Sequence, residues 1–138
     1  MCNPAALSLG LAHSVSFLVL CYVPEQRKRL FARFYRTESG NEPVREWLKS
    51  LDKPERFLIG TDIKTVEYGW PIGMPVCRPM GNGLYEVRTK LPGNRIVRVI
   101  FCIARDQMIL LNGFIKKSRK TPKSDLDLAI ERKRTLER

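Results

Sequence analysis

The sequence predicts a single α+β domain whose elements follow the order strand, helix, helix, strand, strand, strand, helix. Its 138 residues suit one small domain, and 43% hydrophobic residues are enough for one modest core. Segments with helical periodicity and segments with strand periodicity are grouped rather than alternating, which is typical of α+β folds. We expect residues 26–138 to form this domain.

Residues 1–24 contain no charged side chain, and residues 15–23 are the most apolar stretch. A signal peptide is disfavoured because a basic start and a small-residue cleavage site are poor here. A membrane anchor or interfacial helix stays open, since basic residues 27–29 follow, although polar residues interrupt the run. We expect residues 1–25 to be an extension outside the fold. We then expect a cytoplasmic protein, with no stable membrane partner unless residues 1–25 are translated as part of it.

The N-terminal half predicts one strand and two helices. Residues 30–36 are rich in aromatic side chains and indicate the first strand. Asn41 is a candidate helix cap, with Pro43 in the first turn of the helix. Asp52 is the candidate cap of the second helix, which ends at Gly69. The first helix carries an apolar stripe at spacings i, i+3, i+4 and i+7: Val44, Trp47, Leu48 and Leu51.

The C-terminal half predicts three strands and one helix. Residues 69–79 hold several Gly and Pro residues, so we expect a loop there. The turn at residues 92–94 and the next at 105–106 favour antiparallel neighbours. Thr121 is the candidate cap of the last helix, which ends near Leu136. The three strands are residues 84–91, 95–104 and 107–115.

The side chains available for chemistry are restricted. The four cysteines have no close spacing, which disfavours a structural zinc site and a disulfide scaffold and indicates a reducing compartment. The only histidine is His13, in the segment expected outside the fold. A catalytic triad, a Cys–His dyad and a multi-histidine metal site are therefore excluded, and we expect no metal and no cofactor. Any reaction must use Lys, Arg, Tyr or carboxylate groups.

Positive charge is concentrated in the predicted strands. The net charge is +11, and residues 78–120 contribute +8 of it, with Glu86 and Asp106 as the only acidic residues there. Cations on neighbouring strands repel each other unless an anion occupies the site, so we expect a phosphate-binding surface. The alternative is a set of strand-end side chains that are each solvated. The basic residues are Arg78, Arg88, Lys90, Arg95, Arg98, Arg105, Lys116, Lys117, Arg119 and Lys120.

Clustered cations permit RNA cleavage without a metal. Attack by the 2′-hydroxyl on the adjacent phosphate needs a proton acceptor, cations for the transition-state charge and a proton for the leaving oxygen. A lysine among other cations loses its proton more easily, so Lys90, Lys116 or Lys117 is a candidate, and Glu86 is an alternative base. From composition and spacing alone, a non-catalytic RNA- or DNA-binding module is equally tenable.

Several motifs in order resemble the phage-derived, HigB-like branch of the RelE toxin superfamily. The resemblance covers about residues 30–137, and an ordered set of motifs is more specific than any single one. The motifs are FYRT (34–37), GNEPVREWL (40–48), DIK (62–64), GWP (69–71), GMP (73–75), GLYEVR (83–88), RIVRV (95–99), GFIKK (113–117) and KTP (120–122).

The resemblance implies a type II toxin that cleaves mRNA in the ribosomal A site without a metal. It also implies a RelE-like compact domain, with a mostly antiparallel sheet packed on two N-terminal helices. Its expected partners are mRNA, the ribosome with its rRNA, and a cognate antitoxin of the helix-turn-helix type. The family's basic strand residues map onto Arg88, Arg95 and Lys116 or Lys117. The chain departs from the pattern at Glu86, where many members have lysine, and has no Tyr, His or Trp after Tyr85.

The candidate catalytic residues are Arg88, Arg95, Lys117 and Glu86. Arg95 is the first choice for the phosphate, with a surface arginine beside a turn as the alternative. Arg98 shares a strand face with Ile96 and Ile100, so an internal structural pair is the alternative for it. The candidate RNA-binding residues are Arg78, Lys90, Arg98, Lys116, Arg119, Lys120 and Tyr85.

Overall fold

The computed structural model describes residues 27–116 and 120–138. Within these ranges the chain is an α+β fold of five strands and three helices, which confirms the predicted class. Residues 1–25, Lys117 and Arg119 lie outside the described residues. The elements are β1 (Phe31–Phe34), α1 (Pro43–Lys49), α2 (Lys53–Gly69), β2 (Cys77–Gly81), β3 (Leu84–Leu91), β4 (Arg95–Ala104), β5 (Gln107–Lys116) and α3 (Lys123–Leu136).

The strands form one mixed sheet in the order β1-β5-β4-β3-β2. β1 is parallel to β5, and the other three pairs are antiparallel. The predicted turn between β3 and β4 has positive φ angles of 82° at Gly93 and 58° at Asn94, a conformation that these two residue types adopt most easily. Leu91 therefore lies directly opposite Arg95, which fixes the register of the whole hairpin.

The strand β2 corrects the predicted element order. Residues 69–79 were expected to be a loop, but Cys77–Gly81 pairs with β3, with Pro79 opposite Tyr85. The Arg88 amide donates to the Val76 carbonyl, so Pro79 occupies a non-hydrogen-bonded position of the ladder. The chain tolerates this proline because β2 is an edge strand and the missing N–H would point away from β3.

Two predicted helix caps are also wrong by one residue. The N-cap of α1 is Glu42 rather than Asn41, and that of α3 is Pro122 rather than Thr121. The Thr121 side chain is hydrogen-bonded elsewhere, as described below. The N-cap of α2 is Asp52, as predicted, although its side chain makes no capping hydrogen bond.

Helices α1 and α2 cover one face of the sheet and bury the larger core against it. Ile59, Ile63 and Val66 of α2 are buried in this core, together with Val87 and Phe101 of the sheet. Trp47 of α1 packs so closely against Gly113 that a Cβ atom there would overlap its ring. Trp47, a member of the predicted apolar stripe, thus packs against the larger core.

Helix α3 packs against the opposite face and covers only one end of it. Ala129 of α3 is buried with Leu84, Ile100 and Cys102 of the strands. Cys102 is thus a buried residue of this smaller core. Beyond the N-terminus of α3 the same face carries mostly polar side chains. Within the described ranges, no helix has both the length and the apolar composition needed to cross a membrane.

Candidate nucleic-acid interface

The part of the sheet that α3 leaves uncovered carries a cluster of cations, which we call the cationic face. Alternation along β3 places Glu86, Arg88 and Lys90 on the same side as Leu84, which packs under α3. Strand register brings residues of β2, β4 and β5 beside them. The cationic face consists of Glu86 and five cations, which are Arg78, Arg88, Lys90, Arg98 and Lys116.

The register arranges these side chains in three rows across the sheet. Arg78 lies opposite Glu86 in the first row, and Arg88 lies opposite Arg98 in the second. The third row places Lys90 and Lys116 on either side of Ile96. Neighbouring strands are about 4.8 Å apart and successive rows about 6.8 Å apart, so several cations lie within reach of one phosphate.

Glu86 lies at the bottom of the cationic face and is fully buried. Its Oε2 accepts a hydrogen bond from the Thr121 hydroxyl at 2.5 Å. The same hydroxyl oxygen accepts a hydrogen bond from Arg98 Nη1 at 3.2 Å. Arg88 Nε lies 3.7 Å from Glu86 Oε1, which makes a loose ion pair. A carboxylate with no exposed surface cannot touch a substrate hydroxyl in this conformation.

Arg98 is also fully buried, and two other arginines, Arg88 and Arg78, lie close to it. Burial lowers the pKa of its guanidinium, and the neighbouring Arg88 and Arg78 lower it further, while Glu86 acts in the opposite direction. The prediction that left open an internal pair for Arg98 therefore agrees with its surroundings. Arg98 contributes its charge from beneath the surface.

The outer cations are accessible. Lys90 is exposed, Arg78 and Lys116 are partly exposed, and none of the three forms an ion pair with another described residue. The Arg88 side chain retains 19% exposure. Phe114, partly exposed on the same side of β5, lies opposite Arg98 and adds an aromatic surface beside the cations. Cations next to an aromatic ring are the combination that single-stranded RNA binding uses.

The amino-acid sequence matches the model of a known protein family over most of the domain. Residues 46–134 match the phage-derived Gp49-like protein family (DUF891). The chain belongs to this family. The match begins in α1 and ends in α3, so the cationic face lies within the Gp49-like domain. No curated protein matches the chain significantly.

Two predicted site residues of the Gp49-like domain lie away from the cationic face. Arg95 shares the side of Leu91 and Val97, and its Nη2 donates to Glu55 Oε1 of α2 at 2.8 Å. Tyr85 also faces the helices, where its ring lies 4.9 Å from that of Trp70 in an edge-to-face contact. The structure therefore does not bring these two residues to the cationic face.

The remaining predicted residues divide between the described and undescribed parts of the chain. The structure brings Glu86 to the same face of the sheet as Arg78, Arg88, Lys90, Arg98 and Lys116. Lys120 is exposed next to Thr121. Lys117 and Arg119 belong to residues 117–119, which the structure does not describe, so their roles stay predictions.

Sequence reasoning missed Thr121 and Phe114. Thr121 has the pattern of a helix cap, and nothing in the sequence pairs it with Glu86, 35 residues earlier. Phe114 was detectable, because it is two residues before Lys116 on β5 and alternation puts both on one face.

Burial also determines the protonation state of Cys77, which lies on β2 opposite Val87. Burial raises the pKa of its thiol to about 11, and the negative charge of Glu86 adds to the shift. Cys77 is therefore a protonated core residue rather than a nucleophile. Among the described residues, no three His, Cys, Asp or Glu side chains come together in a way that could hold a metal ion.

Proposed function

We propose that this Gp49-like protein is the toxin of a type II toxin–antitoxin system, a ribosome-dependent endoribonuclease that cleaves mRNA without a metal. The observation that carries the proposal is the cationic face, where five cations and one carboxylate lie in three adjacent rows and the carboxylate is already hydrogen-bonded to Thr121. The Gp49-like family is related to toxins of the RelE and HigB type, which supports the same reaction class.

The chemistry requires no group beyond the cations and the RNA itself. The 2′-oxygen attacks the adjacent phosphorus, the bond from phosphorus to the 5′-oxygen breaks, and the products are a 2′,3′-cyclic phosphate and a 5′-hydroxyl. Arg88, which combines charge with exposure, contacts the phosphate and stabilises the added negative charge. Lys90 and Lys116 lie in the next row, on either side of Ile96, where one amine accepts the 2′-proton and the other donates a proton to the 5′-oxygen.

The proposed partners follow from the same surface. Exposed cations outside the reacting centre suit contacts with mRNA and rRNA phosphates, which position a ligand without reading its sequence. A cognate antitoxin, for which a helix-turn-helix protein is the proposed type, would block the reaction by covering the cationic face. Carboxylates on that antitoxin would take the place of the RNA phosphates.

The decisive experiment is controlled expression of the full chain in cells without an antitoxin, followed by mapping of mRNA 5′ ends. We expect growth arrest and new 5′-hydroxyl ends within translated codons, both absent when translation is first stopped by removing ribosomes from the message. A chain that binds RNA but leaves no new ends is a non-catalytic binding module, and that result would refute the proposed reaction.

A further inference from the structure

We propose that Thr121 is a positioning residue that holds the Glu86 carboxylate away from Arg88, so that Arg88 stays available to an RNA phosphate. The inference rests on the proposed function, because it concerns how the same cationic face meets its substrate. Glu86 and Arg88 are adjacent on one side of β3, where opposite charges would ordinarily pair closely.

The distances show that the carboxylate is engaged by the hydroxyl rather than by the guanidinium. The Thr121 hydroxyl donates to Glu86 Oε2 at 2.5 Å, at the short end of the range for a hydroxyl bound to a carboxylate. Arg88 Nε is 3.7 Å from Oε1, beyond hydrogen-bonding distance. No described residue donates a hydrogen bond to Oε1. Glu86 therefore compensates Arg88 only weakly.

A second contact fixes the direction of the Thr121 hydroxyl. Its oxygen accepts a hydrogen bond from Arg98 Nη1 at 3.2 Å, so its proton is directed to Glu86. Thr121 directly precedes Pro122, the N-cap of α3, and the packing of that helix on the sheet brings the hydroxyl to this point. The hydroxyl thus links the two fully buried charges, Glu86 and Arg98.

Loss of this hydroxyl has a predictable consequence. Without the hydroxyl, neither oxygen of the buried carboxylate has a donor among the described residues and Thr121 no longer holds the side chain, so the carboxylate can turn to Arg88, the neighbouring cation with the exposure to approach it. Glu86 and Arg88 would then form a close pair, and the cationic face would lose one cation for RNA. Removal of the Glu86 charge has the opposite effect, because all the arginines then face the ligand uncompensated.

The two substitutions thus change RNA affinity in opposite directions, which a merely structural role would not do. The probe is a short single-stranded RNA with 2′-O-methyl groups, which cannot be cleaved, titrated against the full chain over a series of salt concentrations. We expect Thr121→Val to bind it about fivefold more weakly at 0.1 M salt, with a salt slope shallower by about 0.7, the value for one lost phosphate contact. Thr121→Ser keeps the hydroxyl and should bind as the wild type does.

The charge variant completes the comparison. We expect Glu86→Gln to bind the same RNA more tightly than the wild type, and Thr121→Val combined with Glu86→Gln to match Glu86→Gln alone, since no carboxylate remains to capture Arg88. Weaker binding by both single variants, with additive effects in the double variant, would overturn the proposal.

A measurement without RNA separates this inference from the proposed function and does not need Glu86→Gln to fold. The Arg88 Nε–H resonance in nuclear magnetic resonance spectra should move downfield in Thr121→Val, because the side chain forms a closer hydrogen bond with Glu86. It should stay in place in Thr121→Ser. An unmoved resonance in Thr121→Val overturns the positioning role even if the protein cleaves mRNA. A moved resonance supports it even if no cleavage occurs.

Discussion

On the side of the sheet that α1 and α2 cover, cations reach carboxylates of α2. Arg95 Nη2 lies 2.8 Å from Glu55 Oε1, and Lys28 Nζ lies 3.2 Å from Glu67 Oε2. On the opposite side, the cationic face has one carboxylate for five cations, that of Glu86, which is the only acidic residue in any described strand, and Arg88 Nε lies 3.7 Å from its Oε1. Basic residues of similar strands thus have different roles according to the face that they occupy.

An excess of positive charge indicates a binding surface only once each cation is assigned to a face of the sheet. Like charges placed side by side cost stability, so folding alone does not favour the cationic face. A paired cation such as Arg95 contributes modestly to stability and offers little charge to a ligand. The exposed remainder of the cationic face is therefore the part of the molecule that a polyanion would recognise.

The largest expected effect is a loss of mRNA cleavage, and it should distinguish an arginine of the cationic face from an arginine of the helix-covered face. Arg88→Ala should lower mRNA cleavage about 10²–10³-fold, the usual effect of removing one group that stabilises transition-state charge. Arg95→Ala should leave cleavage nearly unchanged and lower the free energy of unfolding by about 0.2–1 kcal/mol, since it removes a partly exposed ion pair. Cleavage of a purified ribosome–mRNA complex and urea unfolding measure the two quantities.

Arg88→Gln is the control for loss of side-chain volume, because it removes the charge and keeps most of the packing. It should behave as Arg88→Ala does in cleavage. If Arg95→Ala abolished cleavage and Arg88→Ala did not, the distinction between the two faces would have no functional meaning.

The sequence was sufficient to predict most of the cationic face. Alternation along β3 is enough to put Glu86, Arg88 and Lys90 on one face, because the period of two follows from strand geometry alone. The error at Arg95 came from its proximity to the turn. The three-residue turn at 92–94 pairs Arg95 with Leu91, and Leu91 belongs to the apolar side of β3. Register, rather than distance along the chain, assigns the face.

Other features depend on packing that a local pattern does not encode. The hydrogen bond between Thr121 and Glu86 requires α3 to cross the sheet at one particular place. The strand β2 was not predicted because its Gly and Pro content is typical of a loop. Its position at the edge of the sheet removes the energetic penalty for proline. The complete burial of Glu86 likewise became evident only from the assembled layers.

A smaller effect should appear in the pH dependence of stability, on the helix-covered side. The pKa of the Cys77 thiol is about 11 in the folded protein, above its ordinary value of 9.0. Between these two pH values the unfolded chain releases the thiol proton and the folded protein keeps it, so stability falls as pH rises from about 9 to about 11. A pKa difference of this size corresponds to a loss of about 1–3 kcal/mol in the free energy of unfolding.

Urea unfolding of the wild type and of Cys77→Val, under reducing conditions, isolates this contribution from lysine titration. The difference in unfolding free energy between the two proteins should be constant below pH 9 and should shift in favour of Cys77→Val above it. Parallel profiles up to pH 11 would show that burial and the charge of Glu86 do not hold the proton on Cys77.

The smallest effect compares single lysines on the two sides of the molecule. Lys90 is exposed on the cationic face, and Lys64 is exposed on α2, so Lys90→Ala and Lys64→Ala remove the same charge from opposite sides. For an uncleavable single-stranded RNA, Lys90→Ala should make the salt slope shallower by about 0.7 and weaken binding about fivefold at 0.1 M salt. Lys64→Ala should leave both quantities unchanged, because binding to a defined surface depends on where the charge lies. Equal weakening in the two variants would show instead that net charge alone drives RNA binding.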